Sequence, residues 1–163
     1  MCLVCEKKKP IKCRTNLTCY KVLKVRYGLE RKQDEFFSPL QNVSIPKKGD
    51  GIEGTVFEAV YNAHNEPYHC IQGTLATTAV QRILCNIPRI SEGFIHTFRN
   101  LKDAEESITD YFPKLKSYDC EGYEIFECII PKGTEYYRGT HSTSYGAYEG
   151  FASKKIKFIK AVK

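Results

Sequence analysis

The chain of 163 residues contains no tryptophan and a single methionine. It also lacks any apolar run near the roughly 20 residues that cross a bilayer, so no membrane-spanning helix is expected. Its first residues lack the long apolar segment of a secretory signal, because the lysines follow the short "CLVC" rather than precede such a segment. The expected location is therefore the cytoplasm. Repeats and low-complexity stretches are absent. So are the motifs that usually announce chemistry. There is no G-x-S-x-G, which withdraws the usual support for a serine hydrolase. The phosphate loop G-x-x-x-x-G-K-[ST] and the dinucleotide loop G-x-G-x-x-G are missing as well. The four histidines, His64, His69, His96 and His141, form neither H-E-x-x-H nor H-x-E with a C-x-x-C partner.

What is present describes an ordinary globular domain. The composition is 42% hydrophobic and 27% charged, with eleven Tyr and nine Phe, which argues against disorder. A single domain of this size can bury roughly 70% of its unfolded surface, so it needs no metal or disulfide to fold. The charge is uneven. Residues 1–32 carry ten Lys/Arg against two acids, residues 154–163 carry five Lys and no acid, and the net +6 leaves the middle at −7. Two basic ends meeting on one sheet would form a patch for phosphates. The competing reading is solubilising charge and lysine protection of sheet edges.

Eight cysteines in a reducing compartment are free thiols, metal ligands or catalytic groups. Cys2, Cys5, Cys13 and Cys19 read C-x2-C-x7-C-x5-C, and four thiolates could complete a tetrahedral zinc shell. The second half lacks a C-x2-C pair, and no glycine follows Cys5 to permit a tight knuckle. The expectation is therefore no cofactor. Cys85 and Cys128 sit in apolar segments, where cysteine behaves as a small hydrophobe.

Along the chain, residues 1–17 read as an irregular basic lead-in and 18–163 as one domain. Strands are expected at 18–28, 55–62, 92–98, 123–131 and 155–162, with another beyond Gly133. The stretch 123–131 is apolar enough to be buried on both faces. Glu127 within it needs a partner or an edge. Residues 100–112 make the clearest helix. Asn100 caps it, Asp103 takes the capping-box position, and Leu101, Ala104, Ile108 and Tyr111 form its apolar stripe. Glu105, Glu106 and Asp110 fall on its solvated face. Residues 74–86 are ambiguous between helix and strand, and 38–54 and 141–150 read as loops. The expected fold is α+β: a mainly antiparallel sheet of about five or six strands with one or two packed helices.

Two resemblances add expectations. Gly93, Phe94, His96, Asp103, Ala104, Ile130, Pro131, Gly133, Thr134, Ala152, Ser153 and Ile156 form a pattern similar to short accessory proteins of bacteria and their phages. It implies a mobile-element or phage setting and no particular chemistry. The order of elements also resembles ADP-ribosyltransferase-like domains. That likeness implies an NAD-type cleft with Arg26 as the first-strand arginine, Ser142 and Ser144 as the S-T-S serines, and Glu149 as the late acid. Here "HSTSY" lies late, and Phe151 stands where an E-x-E motif would continue. The candidate ligand-binding residues are Tyr20, Arg26, His96, Ser142, Ser144 and Glu149. The leading expectation is a non-enzymatic accessory protein that contacts a protein partner or a phosphate-bearing ligand. A nucleotide-using enzyme is the alternative.

Overall fold

A computed structural model describes residues 2–6, 9–28, 34–39, 44–49, 51–59, 89–90, 94–110, 121–142 and 146–162. Their elements, in chain order, are β1 (Cys2–Cys5), β2 (Ile11–Lys12), β3 (Leu17–Arg26), β4 (Glu35–Phe37), β5 (Val56–Glu58), β6 (Arg89–Ile90) and β7 (Ile95–Phe98). Then come α1 (Leu101–Asp110), β8 (Glu121–Ile130), β9 (Glu135–Ser142), β10 (Ala147–Ser153) and β11 (Lys155–Ala161). The expected α+β class, with five or six strands, needs correcting. Among the described residues eleven strands form one sheet, with one helix beside it. The ambiguous segment 74–86 lies outside the described residues. Among those described, no helix is long and apolar enough to cross a membrane.

The sheet runs β5-β11-β8-β3-β7-β10-β9-β1-β6, with β4 added to β3 and β2 to β9. Every pairing is antiparallel. Only Lys154 separates β10 from β11, yet the order places them four strands apart. Four spacings in a flat sheet would need roughly 19 Å. Two steps of chain span at most about 7 Å. The sheet must therefore roll until the ends of β10 and β11 meet, and its concave face closes over a core.

Strand alternation fills that core. Odd positions of β3 and even positions of β8 and β11 point inward. Leu23, Phe36, Phe126, Phe151, Ile156 and Phe158 meet there. The Phe126 ring sits edge-on to Phe36 at 5.6 Å and to Phe158 at 5.8 Å. The even positions of β3 face outward and carry α1. Tyr20, Val22, Phe98, Ile125 and Tyr148 receive Leu101, Ala104 and Ile108. Asn100 caps the helix, its Oδ1 accepting the Asp103 N–H at 2.8 Å. Asp103 leaves the capping box open. Its carboxylate accepts the Glu149 N–H at 2.7 Å and so ties α1 to β10.

The basic lead-in is part of this sheet. β1 pairs with both β9 and β6, and Leu3 is fully buried. The segment read as a loop at 141–150 holds the end of β9 and the start of β10. The turn between β8 and β9 follows its sequence closely. The Thr134 N–H reaches the Pro131 carbonyl at 3.1 Å, with Gly133 at φ 88°, as the third residue of a type II turn requires.

Candidate functional site

The sheet has a seam. β3 and β7 share one residue pair, Tyr20 with Phe98, while further along β3 pairs with β4. On the inner side Lys21 bridges the gap. It occupies an inward position of β3, and its Nζ donates to the His96 carbonyl at 2.9 Å. Burial pushes the Lys21 amine down to about 8, and the neighbouring thiols Cys128 and Cys19 oppose that shift. Those two cysteines are directly opposed across β3 and β8. Burial pushes the Cys19 thiol up to about 12 and raises Cys128 well above its ordinary value. At neutral pH both are thiols, and a thiol is neither a good nucleophile nor a metal ligand.

The outer side of the second half of the sheet holds a different arrangement. Gly139 on β9 and Gly150 on β10 are direct partners and leave a trough. A Cβ on Gly139 would collide with the Val4 carbonyl, so β1 approaches there backbone to backbone. A Cβ on Gly150 would collide with the His141 ring, which lies across it. From β9 the ring reaches over β10 to the Thr97 carbonyl of β7, with Nε2 at 3.1 Å. A carbonyl only accepts, so Nε2 carries the proton and Nδ1 the lone pair. His141 is fully buried, and Nδ1 has no hydrogen-bond partner among the described residues. Burial pushes its pKa down to about 4. The Thr97 bond opposes this, and the Lys21 charge adds to it. The His96 ring stands 5.3 Å from His141, and Phe98 stands 5.6 Å away.

The residues proposed from sequence are dispersed around this centre. Tyr20 and His96 both lie at the seam, on its outer face. Arg26 closes β3, 3.7 Å from Glu35 and 5.2 Å above the Phe37 ring. Glu149 is the third residue of β10, ion-paired with Arg99. Tyr20 is level with Phe98, and Phe98 with Gly150. Arg26 is therefore displaced from Glu149 by roughly 20 Å along the strands. Ser142 ends β9 opposite Cys2 and Ala147. Ser144 lies outside the described residues. Cys13 and Cys19 point into the core, whereas Cys5 belongs to the outer cluster with Leu3 and Phe94. These thiols therefore do not converge. The Cys2 side chain is outside the described set. Among the described residues no three His, Cys, Asp or Glu side chains stand together as a metal site.

Sequence reading missed His141 as a site residue, although it opens the "HSTSY" stretch examined for its serines. The available signal was a histidine between Gly139 and Gly150. Only the strand register shows that these glycines lie side by side.

Part of the basic charge is paired with acids of the acidic middle. Lys155 pairs with Glu58, Lys160 with Glu127 at 3.7 Å and Lys154 with Glu135 at 3.5 Å. Glu127 thereby has its partner. Arg138 likewise holds Glu6 at 3.1 Å. One basic corner differs. The Gly133 N–H binds the Cys13 carbonyl at 2.8 Å, and the Lys132 N–H binds Asn16 Oδ1 at 3.0 Å. The turn after β8 thus lies against the turn before β3. Cys13 points inward, so Lys12 and Arg14 point out on either side of it, beside Lys132. All three are exposed, and none has a carboxylate partner among the described residues.

The class defined by these features is a rolled antiparallel sheet with a sealed polar centre and a basic corner whose cations have no carboxylate partner among the described residues. No protein-family model, curated protein or solved structure matches the chain.

Proposed function

We propose that this protein is a non-enzymatic interaction module that takes a phosphate-bearing ligand at the corner formed by Lys12, Arg14 and Lys132. The observation that carries the reading is the contrast in charge pairing. Lys154, Lys155, Lys160 and Arg138 are tied to acids across strands, while these three, brought together by one pair of hydrogen-bonded turns, have no carboxylate within ion-pair distance among the described residues. The sealed groups support the same reading. Cys19 and Cys128 are buried and shifted toward the neutral thiol, away from the thiolate that nucleophilic or metal-binding work would use.

The test is anisotropy of a short labelled DNA duplex across a salt series. Three phosphate contacts give a log–log salt slope of about −3. Substituting Lys12→Glu, Arg14→Glu and Lys132→Glu together should abolish binding, while Lys155→Glu should leave it. No binding at low salt, or equal loss in the Lys155 variant, defeats the proposal.

A further inference from the structure

We infer that His141 is an acid-sensitive latch: seated over Gly150, it locks β7, β10 and β9 together, and a proton on Nδ1 unseats it and loosens that half of the sheet while β3, β8 and β11 hold.

The geometry supplies both parts of the device. The seat exists only because Gly150 has no side chain, and among the described residues the bond that fixes the ring there is Nε2–H to the Thr97 carbonyl. A second proton must go to Nδ1, which is buried and has no acceptor among the described residues. The surrounding groups do not welcome a positive charge. From β3, the Lys21 amine already lies close enough to repel it. From β7 come the His96 and Phe98 rings. From β10 the Cα partner is Tyr148, and from β1 it is the apolar Leu3, while the amine at the chain start adds to the repulsion. The acids of α1, Asp103, Glu106 and Asp110, act on Tyr148, and no carboxylate among the described residues acts on the imidazole. A charged His141 is therefore relieved by leaving the trough. Its departure removes the tie between β9 and β7 and uncovers the surface between Gly139, Gly150 and Phe98.

The sign follows from linkage. His141 stays neutral in the seated state down to about 4, against 6.5 when free. As pH falls through that window, the unseated state takes up a proton that the seated state refuses. The opening equilibrium should then rise on the order of a hundredfold from pH 6.5 to pH 4.

Amide hydrogen exchange over this range, corrected for the intrinsic pH dependence of exchange, tests the latch. Long-range nitrogen–proton spectra of the imidazole at neutral pH accompany it. The expected result is a seated Nε2–H tautomer and acid-induced loss of protection in β7, β9 and β10, with β3, β8 and β11 retained. His141→Gln keeps a donor for the Thr97 carbonyl but cannot titrate, so it should remove the acid response. Loss of protection in both halves together overturns the latch. So does an unchanged acid response in the glutamine variant, or an Nδ1–H tautomer in the wild type. Should the variant fail to fold, the wild-type exchange pattern and tautomer decide.

Discussion

The two halves of the rolled sheet share an apolar core, to which β7 and β10 contribute Ile95 and Phe151, but differ in what else holds them. The first half, β5, β11, β8, β3 and β4, buries aromatic and branched side chains against one another. The second half, β7, β10, β9, β1, β2 and β6, brings backbones together at Gly139 and Gly150 and buries Thr97, His141 and Ser153. Apolar packing is non-directional and indifferent to pH. Close backbone approach and single hydrogen bonds are directional, and here one of the donors titrates. One continuous sheet can thus combine a robust half with a conditional one. The seam between them rests on one strand pair, with Lys21 inside and α1 outside.

The largest effect should come from the robust half. Phe158 is fully buried in the core and touches Phe126 edge-on. Phe158→Ala should cost about 4 kcal/mol in urea unfolding, by lost burial and the cavity left behind. The loss should be nearly the same at pH 5 and pH 7. A strong pH dependence would break the comparison.

Next comes the seam. The folded pKa of Lys21 is lowered from 10.5 to about 8, so the native state binds that proton less well than the unfolded chain. Below pH 8 the buried ammonium is a full penalty, and it is relieved as pH rises toward 10.5. The relief amounts to about 3 kcal/mol. Buried thiols act oppositely. Their raised pKa values make the unfolded chain ionise first, so stability falls as pH climbs above 9. The difference between wild type and Lys21→Met isolates the lysine. It should shift in favour of wild type by about 3 kcal/mol between pH 8 and pH 10.5, read from denaturant curves. A constant difference would mean that the amine is solvated.

The smallest effect lies on the outside of the seam. Asn100→Ala removes one cap and should cost about 1 kcal/mol. Because α1 packs on strands of both halves, exchange protection should fall on Tyr20 and Phe98 as well as in the helix. Loss confined to α1 would show that the helix does not hold the seam.

How much of this was legible varies along the same division. Strands β3, β8 and β11 announce themselves by alternation and by β-branched and aromatic residues, and α1 by its cap and stripe. In the second half the strands expected at 92–98 and beyond Gly133 are present as β7 and β9, but the end of β9 and the start of β10 fall in 141–150, a stretch with the composition of a loop. Strand propensity measures fit to a pleated, half-buried surface. A strand with glycine at its closest contact fits by what is missing, which no local pattern records. β1 and β2 were hidden for another reason. They are too short to show a period, and their partner β9 lies far along the chain. Of the candidate site residues, Tyr20 and His96 came together at the seam. The remainder depended on register, which a histidine or an arginine does not encode locally.

The amino-acid sequence by itself determined that the chain would bury an aromatic-rich core, where its longest strands run, and where its helix begins. These are consequences of periodicity and capping within a few residues. Only the tertiary structure decided that the sheet rolls, that Lys21 lies inside it, that His141 rests on Gly150, and which cations remain without an acid. Each of these depends on which distant residues the strand register places side by side.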